Sequence, residues 1–375
     1  MTATKEAITI TTADLARAVQ SAAQFAAKKS PKEALLCVKL QVTDNGLEVT
    51  ATDGAMAARF PLTSPDLAES FAPDERPTLC LPADHLSNLL SKVTAETTHL
   101  VPGDLRVTVL AGQGEFEVLG CHPDDFPDAF REVPPVVATV QASALAEALQ
   151  RASIAASKEP TRFAINGIRI EIEDGKITCI GTDGRRLAIA DAPCNTMQPA
   201  TCVVPITAVR NIIRVLAQAD GTSVGLHIDS QRVVVQTEIA TVSVQLLEDR
   251  FPDWGQVVPE DCPASLNMDR ALLFEAVDRV AVACGKDVPE VSLDVDDHGG
   301  LSISTESSAG SGGEAIKAEV EGEPECVTVN PAFLLDALRA ADGEQVKVDL
   351  VDGKSPMLWG LGDGFRYVLV PITGG

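Results

Sequence analysis

One pattern is written three times along this chain of 375 residues, and it restricts the fold to the repetition of a single unit. Each copy has a short apolar strand, a proline and then an amphipathic helix. The proline lies at or next to the first helical turn, where a missing N–H costs no hydrogen bond. Apolar residues then recur at helical spacing. The three copies are LCLPADHLSNLLSKV from Leu79, CVVPITAVRNIIRVL from Cys202 and VTVNPAFLLDALRAA from Val327.

Two further markers repeat with nearly the same period. A second amphipathic helix is centred on Leu15, Leu145 and Leu273, which are 130 and 128 residues apart. A strand that ends in a Thr-Asp-Gly turn occurs at Thr52 and at Thr182, again 130 residues apart, and the third repeat has only the degraded version SISTES. Markers that agree on one period predict three copies of one domain. The predicted limits are 1–130, 131–257 and 258–375.

Between the helices, apolar and polar residues alternate as they do in half-buried strands. The segment GIRIEIEDGKITCIG carries Ile168, Ile170 and Ile172 on one face and turns at Asp174-Gly175, a strong hairpin signal. The segment LRVTVLAGQGEFEVLG has the same pattern. Each repeat is therefore predicted to hold two helices packed on antiparallel sheets, which is an α+β fold.

The charge of the chain is segregated. The formal net charge of −24 argues against a general attraction to nucleic acid. The predicted helices are taken as residues 13–32, 83–92, 143–158, 205–217, 268–286 and 331–341. They hold thirteen basic and seven acidic residues, a net charge of +6. Two interpretations of this positive charge stay open. In the first, basic residues near helix C-termini only complement the helix dipole. In the second, one basic face shared by the six helices binds phosphates independently of base sequence.

Composition and cysteine spacing set the expected environment. No apolar run is long enough to cross a bilayer, and the first residues lack the basic stretch and apolar core of a secretory signal. We therefore expect a soluble cytoplasmic protein that does not bind membranes.

The nine cysteines include no Cys-x-x-Cys pair, and several lie in apolar runs. We expect buried free thiols rather than a disulfide or zinc framework.

No catalytic constellation is recognisable in the sequence. It lacks the Gly-x-x-x-x-Gly-Lys-Ser/Thr phosphate loop and has no His-x-x-x-His or Cys-x-x-Cys pair for a metal. The TDGRR segment at Thr182 is either a phosphate site or a tight turn that ends a strand, and the second TDG at Thr52 favours the turn. A hydrolase that uses Asp53 and Asp183 as paired carboxylates is the alternative from the enzyme class. The expectation is a protein without enzymatic activity.

Four segments resemble the bacterial replicative sliding clamp, the beta subunit of the replicative DNA polymerase. They are FAINGIRIEIEDGKITCIGTDGRRLA (163–188), LEDRFPDWGQVVP (247–259), NPAFLLDAL (330–338) and YVLVPI (367–372). The likeness covers essentially the whole chain. It implies three clamp domains per chain and a head-to-tail homodimer, whose six domains close into a ring around double-stranded DNA without sequence preference.

The resemblance also implies the partners. They are the replicative DNA polymerase, other proteins with a clamp-binding motif, and an ATP-driven clamp loader that opens the ring. The chain itself would then need no cofactor, nucleotide or metal. A diverged paralogue that forms a ring but does not tether a polymerase is the alternative.

Three sets of site residues follow from the resemblance. The peptide-binding pocket would comprise Ile165, Thr182, Gly184, Arg185, Arg186, Leu187, Pro252, Val257, Asn330, Phe333, Val368, Leu369, Val370, Pro371 and Ile372. The residues facing DNA would be Lys28, Lys29, Lys32, Lys92, Arg151, Lys158, Arg162, Arg210, Arg214, Arg279, Lys286 and Arg339. The dimer contact would set Phe116 and Val118 against Val282 and Ala283.

Other interpretations of the same residues stay open. The tail from Val368 to Ile372 also fits a plain edge strand, and Phe116 also fits a core position. Gln256 stands where the family's pocket usually has arginine, and Phe333 where tyrosine is common.

Overall fold

The structure is a computed structural model that describes residues 7–130, 133–157, 159, 164–285, 289–295, 299–308 and 310–373. The helices in these ranges are α1 (Thr12–Ala22), α2 (Pro65–Glu69), α3 (Ala83–Leu90), α4 (Ala142–Ser153), α5 (Ile206–Gln218), α6 (Arg270–Ala281) and α7 (Pro331–Ala340). Among the residues so described, no helix has the length and apolar character needed to span a bilayer.

The strands fall into three sets along the chain. The first set is β1 (Ile8–Thr11), β2 (Cys37–Thr43), β3 (Gly46–Thr52), β4 (Met56–Thr63), β5 (Thr78–Pro82), β6 (Thr97–Pro102), β7 (Arg106–Ala111) and β8 (Gly114–Leu119). The second set is β9 (Val136–Gln141), β10 (Gly167–Glu173), β11 (Lys176–Thr182), β12 (Arg186–Thr196), β13 (Ala200–Pro205), β14 (Ser223–Ile228), β15 (Arg232–Gln236) and β16 (Thr241–Gln245). The third set is β17 (Ala264–Asp269), β18 (Val291–Val295), β19 (Leu301–Ser307), β20 (Gly310–Ile316), β21 (Glu319–Glu321), β22 (Val327–Val329), β23 (Gln345–Leu350), β24 (Met357–Gly360) and β25 (Phe365–Leu369).

The three sets repeat one order of elements. Each runs strand, helix, four strands, helix, three strands, with α2 added in the first repeat and β21 in the third. The first strand of each repeat pairs antiparallel with the strand after the second helix, as β1 with β6, β9 with β14 and β17 with β23. The predicted α+β fold of three repeated domains is confirmed.

The chain divides into two compact units, and the first comprises residues 1–143 and 210–246. One of its sheets has the order β1-β6-β7-β8. The other joins eight strands in the order β5-β2-β3-β4-β16-β15-β14-β9, all antiparallel. Helices α1 and α3 pack on each other. They bury the apolar faces that the spacing predicted, including Leu15, Val19, Leu86 and Leu90.

The second unit comprises residues 144–209 and 247–375. Nine antiparallel strands follow the order β13-β10-β11-β12-β25-β24-β23-β17-β21. A second sheet has the order β20-β19-β18-β22. Helices α6 and α7 pack on each other. The buried core here includes Trp359, Tyr367, Leu273 and Leu334.

One contact between neighbouring repeats is made twice. In the first unit β4 pairs with β16 and sets Met56 opposite Val244. In the second unit β12 pairs with β25 and sets Arg186 opposite Leu369. Arg186 follows Met56 by 130 residues and Leu369 follows Val244 by 125 residues. Because these intervals are the repeat period, the two junctions use the same strands in the same register.

The first predicted helix was too long. It was expected over 13–32, but α1 ends at Ala22. Beyond it the chain folds back, and the Ala27 N–H donates to the Leu35 carbonyl at 2.8 Å. Pro31 cannot sit inside a helix, because it lacks the N–H that each turn needs. Lys28, a predicted DNA contact, therefore lies on a loop.

Candidate peptide pocket and nucleic-acid interface

The Thr-Asp-Gly turn between β11 and β12 is held by its own side chains. Thr182 Oγ1 accepts from the Gly184 N–H at 3.1 Å and donates to the Arg186 carbonyl at 2.7 Å. Asp183 Oδ1 accepts from the N–H groups of Arg185 and Arg186 at 3.0 and 3.1 Å. Gly184 has φ +87, a conformation that favours glycine. A tight turn, rather than a phosphate site, accounts for these residues.

The first repeat builds the same turn. Asp53 Oδ1 accepts from the N–H groups of Ala55 and Met56 at 2.9 and 2.8 Å. Thr52 Oγ1 donates to the Met56 carbonyl at 2.8 Å. Asp53 and Asp183 thus each accept hydrogen bonds within their own turn. They do not form the pair of catalytic carboxylates that the hydrolase alternative needs.

Arg186 connects the second turn to helix α7. Its Nε is 3.0 Å from Asp183 Oδ2, and its Nη1 is 3.0 Å from Asp336 Oδ2. The guanidinium carbon lies 4.2 Å from the centre of the Phe333 ring. Burial lowers the pKa of Arg186, but interactions with Tyr367, Asp336 and Asp183 raise it by more. The side chain is therefore a fixed cation at the end of β12.

The start of α7 is fixed from two sides. Asn330 Oδ1 accepts from the Ala332 N–H at 2.9 Å and caps the helix. The Tyr367 hydroxyl donates to the Phe333 carbonyl at 3.0 Å. Burial raises the pKa of Tyr367 well above its ordinary value, so this hydroxyl stays protonated. Phe333 and Asn330 are thereby held next to β25.

An apolar cluster lies under the predicted pocket. Its buried members are Ile180, Leu187, Ile189, Val203, Phe251 and Val368, and its partly buried neighbours are Leu247, Trp254, Val258 and Leu358. The segment 247–258, which follows β16, thus packs on β11, β12 and β25. Trp254 Nε1 also donates to Glu171 Oε1 at 3.2 Å.

The exposed rim of this region is apolar as well. Val257 is 47% exposed and Val370 is 41% exposed, and Ile165, Pro252 and Ile372 are half-buried. The tail is tied to the turn because the Val370 N–H donates to the Arg185 carbonyl at 3.1 Å. It is tied to β22 because the Ile372 N–H donates to the Thr328 carbonyl at 2.7 Å. Because β25 lies between β12 and β24, the predicted edge strand is wrong, and the tail beyond it runs along the turn and β22.

Three of the predicted pocket residues need correction. Leu187, Val368 and Leu369 are at most 2% exposed. Leu187 and Val368 belong to the apolar cluster, and Leu369 is enclosed as well, so none of the three offers surface to a ligand. Thr182 and Pro371 are also buried, whereas Gly184 and Arg185 are exposed.

Two predicted DNA contacts of the first unit bond to neighbouring side chains. Lys28 Nζ is 2.9 Å from Asp84 Oδ1 at the start of α3. Arg214 Nη1 donates to Gln24 Oε1 at 3.1 Å, which links α5 to the loop after α1. The predicted contacts of this unit are solvent-exposed: Lys28, Lys29, Lys32, Lys92, Arg210 and Arg214. The loop after α1, the end of α3 and helix α5 therefore carry exposed cations.

In the second unit the prediction fails for Arg151. Its side chain is 7% exposed, and its Nη2 lies 2.6 Å from Glu147 Oε1 and 2.8 Å from Asp342 Oδ2. The guanidinium carbon also lies 5.3 Å from the centre of the Phe365 ring. Arg151 is a structural cation because two carboxylates compensate its charge and a ring covers it.

The other predicted cations of this unit differ from one another. Arg339 is exposed, with Asp336 3.5 Å away. Arg279 is exposed but forms two bonds with Glu314, at 2.9 and 2.7 Å, so its charge is compensated. Lys158, Arg162 and Lys286 lie outside the described residues.

The predicted dimer contact falls on strand edges. Within the described residues, β8 pairs only with β7 and β20 only with β19. Phe116 on β8 is 42% exposed, which excludes a core position, whereas the Val118 side chain is 1% exposed and offers no surface to a partner. Leu119, which sequence reasoning missed, is 66% exposed. Val282 after α6 is highly exposed and Ala283 is half-buried.

Sequence models of a known protein match three consecutive segments. They describe the DNA polymerase III beta subunit, with its N-terminal domain at 7–130, its central domain at 139–253 and its C-terminal domain at 255–366. The chain belongs to the DNA polymerase III beta subunit family. Its function is that of a DNA sliding clamp. The exact domain limits 1–130, 131–257 and 258–375 stay a prediction.

Relatives and solved structures agree with this membership. The beta sliding clamp of Synechococcus elongatus is 27% identical over 329 residues, which cover 84% of this chain and 88% of that protein. The beta sliding clamp of Caulobacter vibrioides is 26% identical and covers 97% of this chain and 99% of its own. The crystal structure of the DNA polymerase sliding clamp from Bacillus subtilis has a TM-score of 0.91 at 19% identity. That match covers 99% of this chain and 100% of the other, and it shows a shared fold.

The repeat itself contains a signal that singles out Leu119. Leu119 precedes Val244 by 125 residues, and Val244 precedes Leu369 by the same interval. Val244 and Leu369 both lie in junctions between repeats. Leu119 is the corresponding position in the first repeat, and it is the exposed one.

Proposed function

We propose that two copies of this chain close head to tail into a ring that encircles double-stranded DNA and tethers the replicative polymerase. The ring has no catalytic role, acts in the cytoplasm, and takes its other partners from the clamp loader and proteins with a clamp-binding motif.

The repeated junction carries this proposal. The fourth strand of one repeat pairs with the last strand of the next in β4–β16 and again in β12–β25. The fourth strand of the third repeat, β20, and the last strand of the first repeat, β8, have no such partner among the described residues. An unpaired edge is a template for another strand. Pairing of β8 with β20 of the partner subunit, made twice, would use both edges and give a closed dimer of six domains.

The exposed residues of β8 support the same contact. Phe116 and Leu119 offer apolar surface. Strand β20 is glycine-rich, with Gly310, Gly312 and Gly313, and so presents little side-chain bulk to an approaching strand.

The charge distribution supports a loose contact with DNA. The chain carries −24 overall, yet Lys29 and Lys32 on the loop after α1, Lys92 after α3 and Arg210 on α5 are exposed. Contacts between such side chains and phosphates are independent of base sequence and sensitive to salt. They suit a ring that slides.

The pocket residues support peptide capture. An apolar rim formed by Val257 and Val370 lies in the unit that also holds the fixed cation Arg186 and the helix cap Asn330. Extended peptides are recognised by apolar surface combined with a few polar groups.

The test uses the purified full chain, a clamp loader with ATP, and a nicked circular duplex. We expect the clamp to stay on the circle at high salt and to leave when one cut makes the circle linear. A clamp that leaves the intact circle as fast as the linear duplex would contradict encirclement. Sedimentation equilibrium should give a dimer of the 39.4 kDa chain, and a strict monomer at micromolar concentration would contradict the ring.

A further inference from the structure

We propose that Cys37, Cys80 and Cys121 form a binding site for a soft metal ion. The sulfur atoms of these three residues all lie within 4.8 Å of one another. Among the described residues this is the one such group of three potential ligands. Thiolates are the ligands that Zn²⁺ and Cu⁺ prefer.

The distances between the sulfurs fit metal binding better than a disulfide. Cys121 Sγ lies 3.1 Å from Cys80 Sγ and 3.8 Å from Cys37 Sγ. A disulfide needs about 2.05 Å between its sulfurs. Two thiolates bound to one Zn²⁺ at about 2.3 Å in tetrahedral geometry stand roughly 3.8 Å apart. One pair already has this separation, and the other needs to open by less than one ångström.

Three separate segments assemble the cluster. Cys37 begins β2, Cys80 lies on β5, and these strands pair so that Lys39 stands opposite Cys80. Because residues two apart on a strand share a face, Cys37 and Cys80 point to the same side of the sheet. Cys121 follows β8, and its N–H donates to the Cys80 carbonyl at 3.1 Å.

Gly120 makes this approach possible. A Cβ at Gly120 would lie 2.0 Å from the Cys80 carbonyl oxygen, so any other residue would push the third thiol away from the first two. The backbone therefore holds the three sulfurs together before any ion binds.

The surroundings suit a buried site with one open side. Cys37 and Cys80 are buried, and Phe126 packs against them. Cys121 is only half-buried and gives an ion a route of entry. Zn²⁺ would complete its four ligands with a water on that side, whereas Cu⁺ can stay with three thiolates. Binding exchanges three S–H bonds for three bonds between sulfur and metal, and the thiol protons leave to solvent.

The test uses Co²⁺ as a spectroscopic probe on the full-length chain, reduced and stripped of metal. We expect thiolate-to-cobalt charge-transfer bands that saturate at one ion per chain and disappear on addition of Zn²⁺. Cys121→Ser should weaken binding by about a hundredfold or more, since loss of an outer-shell partner alone costs 10–100-fold. Competition between Zn²⁺ and Cu⁺ in the same assay then identifies the preferred ion.

The matched control is Cys194→Ser, because Cys194 is also a half-buried free thiol. It should bind Co²⁺ as the unaltered chain does. The proposal is overturned if the unaltered chain gives no charge-transfer bands, or if Cys121→Ser and Cys194→Ser bind equally. Because the unaltered chain is tested directly, the proposal stays falsifiable even if a variant folds poorly. Retention on circular DNA is measured separately. It shows whether the ring forms, independently of whether the three thiols bind a metal ion.

Discussion

The guanidinium of Arg186 lies over the ring of Phe333, with 4.2 Å between the guanidinium carbon and the ring centre. Cations over aromatic faces are attracted to the ring quadrupole. The same guanidinium pairs with Asp183 in its own turn and with Asp336 on α7. One side chain thereby fixes the turn, the helix and an aromatic ring at the candidate pocket.

Replacing Arg186 should therefore weaken peptide capture. We expect Arg186→Ala to lower the affinity for a polymerase-tail peptide by about tenfold, the effect of losing a moderately important interface residue. Fluorescence anisotropy of a labelled peptide measures it. Arg232→Ala is the matched control, since Arg232 pairs with Asp229 in a similar turn of the first unit. Equal losses in both variants would count against the pocket assignment.

The spacing of residues predicted the repeat and the helices because each buried face follows a fixed period. Leu15, Val19, Leu86 and Leu90 are buried as that period requires. The same reasoning missed the end of α1, since helix ends depend on local contacts such as the bond from Ala27 to Leu35.

Contacts between distant segments set the limit of sequence reasoning. Arg151 is near a helix C-terminus, which made a solvent-facing role plausible, but Asp342 and Phe365 reach it only after folding. The thiols of Cys37 and Cys80 meet for a similar reason, because their strands pair. A search for closely spaced cysteines could not reveal them.

The burial of Arg151 leads to a prediction about stability. Arg151→Ala removes the cation between Glu147 and Asp342, and we expect the free energy of unfolding to fall by about 1–3 kcal/mol. This lies below the 3–5 kcal/mol typical of broken buried pairs, because both carboxylates are more than half exposed. Urea denaturation measures it. Arg339→Ala, at an exposed site, should change stability by less than about 0.5 kcal/mol. A larger loss of stability for Arg339→Ala than for Arg151→Ala would contradict the structural role of Arg151.

The exposed lysines after α1 give a prediction about DNA. The double variant Lys29→Ala and Lys32→Ala should bind a linear duplex more weakly at low salt. If each lysine contacts one phosphate, the slope of log affinity against log salt should fall by about 2, since one contact contributes roughly 0.9. Lys317→Ala with Lys354→Ala removes the same charge from other exposed positions and should leave the slope unchanged. If the two double variants had the same slope of log affinity against log salt, Lys29 and Lys32 would not contact DNA phosphates.

The edge of β8 gives the prediction that bears most directly on the ring. Phe116→Asp and Leu119→Asp each place a charge where apolar surface is to be buried, and burial of such a side chain contributes about 1.5–3 kcal/mol. Inward-pointing charge also discourages strand pairing at an edge. We expect each variant to raise the dimer dissociation constant by about a hundredfold, which corresponds to roughly 3 kcal/mol, as measured by sedimentation equilibrium.

The control for this edge is Met197→Asp, because Met197 is 50% exposed and lies away from both β8 and β20 in the sequence. It should remain dimeric. Both edge variants should keep the far-UV circular dichroism spectrum of the unaltered chain, since neither side chain belongs to the core. If they dimerise normally, β8 does not form the contact, and the agreement in spacing among Leu119, Val244 and Leu369 reflects common repeat ancestry without a shared interface.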